Sequence, residues 1–227
     1  MKNNMDKEIR HLDYSEAEVR AIADSRIIEG YGIVFNSLSE DLGGFRELIL
    51  PEAVDGVLEK SDIMSVLNHS INRGVLARSI NGSGSLQLTK DAKGVKYSFV
   101  APNFDLGNEV LEGIKRGDIR GSSFAFNVNE TGQKWSKDSN GTYIRTITKF
   151  ERIFDISPVY TGAYQDTTVA VRSFDEFRAK ETEDNEVRED NKPTIENTTV
   201  EPMIDSNTEE LTDYYAGLRE TLNDLTI

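Results

Sequence analysis

Near the middle of the chain Phe124, Phe126 and Val128 alternate with Ser123, Ala125 and Asn127. Successive strand residues point to opposite faces. The pattern therefore predicts a strand with a phenylalanine face in the core and a second face of small side chains, Ser123 and Ala125. Ser122 falls on the phenylalanine face and reads as a structural serine. Comparable β-branched and aromatic runs predict strands over 26–35, 45–50, 62–67, 75–80, 84–89 and 95–101. A polar hairpin is expected around 130–141, a long strand from Thr142 to Ile156, and a last ordered piece from Thr167 to Arg172.

Helical signals are fewer. Pro51 suits a first helical turn and predicts a helix through about Glu59. Leu106, Val110, Leu111 and Ile114 recur at helical spacing over 105–116, with Gly117 where a C-terminal cap falls. Many short strands with few helices predict a mainly β protein with peripheral helices, an α+β chain whose strands form a closed or nearly closed barrel.

The ends are patterned differently. Residues 1–24, which include His11, are charged and weakly periodic and read as a flexible leader before a domain over 25–174. Residues 175–210 hold 13 acidic and 4 basic side chains, so most of the net charge of −14 sits there. Few large apolar residues fall in 175–207, which therefore reads as a disordered linker. Leu211, Tyr214, Tyr215, Leu218, Leu222 and Leu225 restore helical spacing and predict a short amphipathic helix over 208–227.

Composition narrows the chemistry. The acidic balance argues against binding a phosphate backbone, so no nucleic-acid partner is expected. No apolar run approaches the about 18 residues of a membrane span, and no signal peptide is evident, so an intracellular soluble protein is expected. With no cysteine and only two histidines, His11 and His69, a catalytic metal site is not expected, nor is any cofactor. A serine hydroxyl becomes a nucleophile when a base takes its proton, and a third polar group usually orients that base. His69, at the end of a predicted strand, is the better placed histidine for Ser123. Over 150–158, Phe150, Phe154 and Ile156 are expected on one strand face, with Glu151, Ile153 and Asp155 on the other. Asp155 reads equally as a solvated side chain or as a carboxylate aimed at His69.

Four ordered segments carry a family resemblance. They are Phe35–Ser37 with Gly43–Glu47 and Pro51–Ala53, then Asn68-His69 with Gly74–Arg78 and Ser85–Leu88, then Arg116–Phe126, and last Phe154–Val159 with Ala163–Ser173. Together, from about Gly30 to Ser173, they resemble the HK97-type prohead serine proteases of tailed bacteriophages. The resemblance implies a β-barrel with surrounding helices, similar to herpesvirus maturation proteases. It implies Ser123 as nucleophile, His69 as base and Asp155 as third member, with Arg78 and Arg120 as candidates to support the oxyanion region. It implies a serine endopeptidase, inside the procapsid in the host bacterial cytoplasm, that cleaves the scaffolding segment of the major capsid protein and its own chain. Dimerisation is a further partner expectation. The competing expectation is a non-catalytic scaffolding protein that keeps the barrel.

Overall fold

A computed structural model describes residues 7–160 and 171–181. These fall in the first of two units into which the chain divides, Met1–Glu183 and Asp184–Ile227. Among the described residues the elements run β1 (Glu8–Leu12), α1 (Tyr14–Ala17), β2 (Arg20–Ala21), β3 (Ile27–Val34), β4 (Phe45–Ile49), β5 (Asp62–Ser65), β6 (Ala77–Ile80), β7 (Ser83–Gly84), β8 (Gln87–Lys90) and β9 (Gly94–Val100). There follow α2 (Asp105–Arg116), β10 (Ile119–Asn127), β11 (Gln133–Lys137), β12 (Tyr143–Ile147) and β13 (Arg152–Tyr160). Residues 171–181 are helical. No helix among the described residues is long and apolar enough to cross a membrane.

The strands make three sheets, ordered β1-β10-β13-β5-β6-β7, β2-β3-β9-β8 and β11-β12-β4. Most neighbours are antiparallel; β13 with β5 and β12 with β4 are parallel. The mainly β expectation holds, but the closed barrel does not. No ring of strand pairing closes among the described residues. The sheets meet through side chains instead. Ile28, Ile33, Tyr97 and Phe99 of one sheet share a core with Phe124, Phe126 and Ile156 of another. Leu106, Val110, Leu111 and Ile114 of α2 complete that core, as their spacing predicts. Gly117 ends α2 at φ 80, and its N–H returns to Gly113 and Ile114 carbonyls.

Other expectations shift. The helix from Pro51 is a single 3-10 turn, Pro51–Val54. Asp55 is extended and Gly56 sits at φ 70, which stops the helical run. The long strand from Thr142 divides into β12 and β13. Between them, Thr148 and Lys149 N–H both donate to the Gly132 carbonyl, and Phe150 N–H to that of Ala53. Phe150 thereby enters the core.

The expected leader contains β1, which pairs along β10 from Glu8↔Phe126 to Leu12↔Ser122. The start of the expected linker is helical, because Phe174 and Phe177 pack with Phe45, Trp135 and Tyr143. Of the last ordered piece expected over 167–172, residues 171 and 172 open the helix over 171–181 and the rest lies outside the described residues, as do the remaining linker and the helix expected over 208–227.

Candidate active site

Ser123 stands on β10, whose residues are buried on both faces after Arg120. Parity works as expected. Ser122 faces the core, where its hydroxyl meets the Tyr97 hydroxyl at 3.0 Å. Ser123 faces the other way.

His69 follows β5 through the buried Val66 and Leu67. Asn68 and His69 both adopt left-handed backbone conformations, φ 50 and 57. Side-chain-bearing residues occupy this region only when their surroundings over-determine it. Here Asn68 N–H donates to the Pro158 carbonyl, and Asn68 Oδ1 accepts from Tyr160 N–H. The tight turn is thus pinned to β13, and it swings the imidazole over the sheet.

Asp155 reaches the same place through a β-bulge. Phe126 pairs with Ile153 while Ala125 pairs with Asp155, leaving Phe154 as the extra residue. Simple alternation puts Ile153 and Asp155 on one face; the bulge separates them. Ile153 and Ile156 enter the core. Asp155 turns towards His69, and Phe154 moves to a half-buried position beneath Lys7 and Arg152. This corrects the expected grouping of Phe154 with Phe150 and Ile156.

The three side chains form one hydrogen-bonded run. Ser123 Oγ lies 2.6 Å from His69 Nε2, and His69 Nδ1 lies 2.5 Å from Asp155 Oδ1. Ser123 is fully buried and Asp155 is 4% exposed, while the His69 side chain keeps 12% exposure. Solvent therefore meets the trio at the imidazole. Burial pushes the Asp155 pKa up, but the hydrogen bond and charge of His69, then those of Lys7, outweigh it and hold the carboxyl below its ordinary value. An ionised Asp155 accepts a hydrogen bond from Nδ1–H, and in the neutral imidazole this leaves Nε2 as the acceptor facing Ser123.

Several neighbours carried no expectation. Ser123 Oγ also lies 2.8 Å from the Arg10 carbonyl on β1. A hydroxyl has one proton, so Ser123 donates either to that carbonyl or to His69. Lys7 Nζ sits 3.0 Å from Asp155 Oδ2, and Ser157 donates to Asp155 Oδ1 at 2.8 Å. His11 is the cross-strand partner of Ser123, with its ring 6.0 Å from that of His69. Ser157 had a readable signal, since it lies two residues beyond Asp155 on the same strand face. Lys7 and Arg10 had none within a weakly patterned leader, and His11, visible as the second histidine, ranked below His69 because it lies there. Glu151 caps a polar turn, accepting from Asn129. Arg78 pairs with Asp62, and Arg120 lies over the Tyr14 ring.

The chain matches the model of the caudovirus prohead serine protease family over residues 14–182. It belongs to that family. Membership makes it a serine protease, a hydrolase of phage capsid maturation. Among solved structures it is similar to the bacteriophage T4 capsid assembly protease gp21. The two are 11% identical, with 68% of this chain and 98% of that one covered and a TM-score of 0.36. No curated protein matches the chain.

Proposed function

We propose that this chain is the endopeptidase that cleaves the scaffolding segment of the major capsid protein, with Ser123 as nucleophile, His69 as base and Asp155 as the group that orients it. The observation that carries this reading is the run from Ser123 Oγ through His69 to Asp155, at 2.6 and 2.5 Å. His69 Nε2 takes the Ser123 proton as Oγ attacks the scissile carbonyl. The resulting imidazolium is stabilised by Asp155 and returns that proton to the leaving amine. Water, deprotonated by the same nitrogen, then hydrolyses the acyl-enzyme and restores Ser123. Backbone N–H groups are the donors for the oxyanion.

The enzyme works inside the procapsid in the host bacterial cytoplasm. It also cleaves its own chain, removing the acidic tail. Intact-mass analysis of purified protein over time reads the second claim. Shortened wild type beside an intact Ser123→Ala variant is expected.

The main test is co-expression with the major capsid protein of the same phage. Wild type shortens the capsid protein and Ser123→Ala does not. If both leave it whole, the non-catalytic scaffold reading replaces this one. If both shorten it, the nucleophile is another residue.

A further inference from the structure

Asp155 can orient His69 only if its own carboxylate is held, and Ser157 is the buried group in contact with the same oxygen. Ser157 is fully buried on β13, two residues from Asp155 and directly across the ladder from Ser123. Its hydrogen bonds have one consistent direction. The Asp155 carboxylate is an acceptor, so the Ser157 hydroxyl donates to Oδ1 at 2.8 Å. Val66 N–H then donates to Ser157 Oγ at 3.3 Å. The contrast with Ser123 is sharp: the Ser123 proton has two acceptors to choose between, and the Ser157 proton has one.

We propose that Ser157 is a positioning residue. Its hydroxyl ties the Asp155 carboxylate to the backbone of the segment that carries His69. Val66 lies three residues before His69, so the single side chain of Ser157 touches the carboxylate directly and the backbone of the segment that leads to the imidazole. It fixes Oδ1 on the line to Nδ1 and keeps the turn at residues 68–69 in step with β13. Without it, the carboxylate is free to rotate towards Lys7 on Oδ2, and the imidazole loses its preferred tilt. A displacement near 1 Å at reacting atoms is enough to cost about 100-fold in rate.

This inference rests on the reading of Ser123, His69 and Asp155 above, and its test separates the two. Ser157→Ala and Ser157→Thr are compared with wild type on purified capsid protein, with the folded fraction of each measured by thermal unfolding. Ser157→Ala is expected to lower kcat by about 10- to 100-fold at unchanged KM, and Ser157→Thr, which keeps the hydroxyl, to recover most of it. In parallel, proton NMR reads the His69 Nδ1–H. A far-downfield signal in wild type that is lost in His69→Ala is expected to move upfield in Ser157→Ala and to return in Ser157→Thr. Unchanged kcat together with an unmoved signal in Ser157→Ala overturns the proposal. So does a loss of activity that only follows the folded fraction while the signal stays in place. If wild type fails to cleave, the endopeptidase reading falls; if Ser123→Ala still cleaves, the nucleophile assignment falls; in either case the NMR comparison alone decides whether Ser157 holds the pair.

Discussion

Strands β1 and β10 lie side by side, yet one is held by apolar packing and the other by buried charge. β10 puts Phe124 and Phe126 into the core and presents Ser123 on its other face. β1 buries Glu8 and Arg10 and leaves Ile9 and His11 only half-buried. The charges point inward because they meet their complements. Arg10 makes a two-pronged contact with Glu47 at 2.9 and 2.8 Å and reaches Glu8 at 2.7 Å. Arg145 binds both oxygens of Glu8 and one of Glu47. Two arginines and two carboxylates thus form a buried quartet that staples β1 to β4 and β12. Burial works against the Glu8 carboxylate, but the hydrogen bond and charge of Arg145 and the nearby Arg10 still hold its pKa below the ordinary value. Burial works to lower the pKa of both arginines, but the Glu47 and Glu8 carboxylates outweigh it and raise them.

The difference teaches where function and stability are separable. A greasy strand tolerates a small polar side chain aimed away from its core, so β10 can carry Ser123. An ion-stapled strand is weakened by the loss of any member of the quartet, because the remaining charges are left buried and short of a partner. Through the Arg10 carbonyl of β1 and through Lys7 just before it, the same segment touches Ser123 and Asp155, so damage to the quartet reaches the site.

The largest expected effect lies on the chemistry. Asp155→Asn keeps the shape but offers an amide to His69 and favours the wrong tautomer, so kcat falls by about 10⁴-fold with the fold intact. Loss of folding rather than turnover sinks that distinction. Next comes the quartet. Arg145→Ala leaves buried carboxylates short of a partner and costs about 3–5 kcal/mol of stability, read by denaturant unfolding. A cost near zero means that β1 is not held by these charges.

Acid gives a graded version of the same break. Glu8 and Asp155 have folded pKa values below their unfolded ones. Their contribution is present above the unfolded carboxylate range, about pH 4, and is lost as pH falls through the folded values. Stability measured downward from pH 7 should hold and then drop below about pH 4, with a shallower drop in Glu8→Gln. Smallest is Ser122→Ala, which strands the buried Tyr97 hydroxyl and costs about 1–3 kcal/mol without touching turnover.

What was legible in the sequence follows the same division. Alternation in β10 and helical spacing in α2 report apolar burial, and both elements stand where the pattern puts them, down to the Gly117 cap. Ser123 was legible by parity against Ser122. His69 was legible only as a residue after a strand, because the pairing of two left-handed residues depends on contacts with β13 some 90 positions away. Asp155 was obscured by the bulge, which breaks the alternation that a strand face relies on. β1 was hidden because its partners, Glu47 and Arg145, are distant in sequence, and charge complementarity across such spans leaves no periodic trace.

The most direct measurement sets the two adjacent serines against each other. The capsid protein is co-expressed with wild type, Ser122→Ala and Ser123→Ala, and its mass is read in each case. The account predicts a shortened capsid protein with wild type and with Ser122→Ala, and a full-length one with Ser123→Ala. Processing by Ser123→Ala, or a folded Ser122→Ala that cannot process, contradicts it.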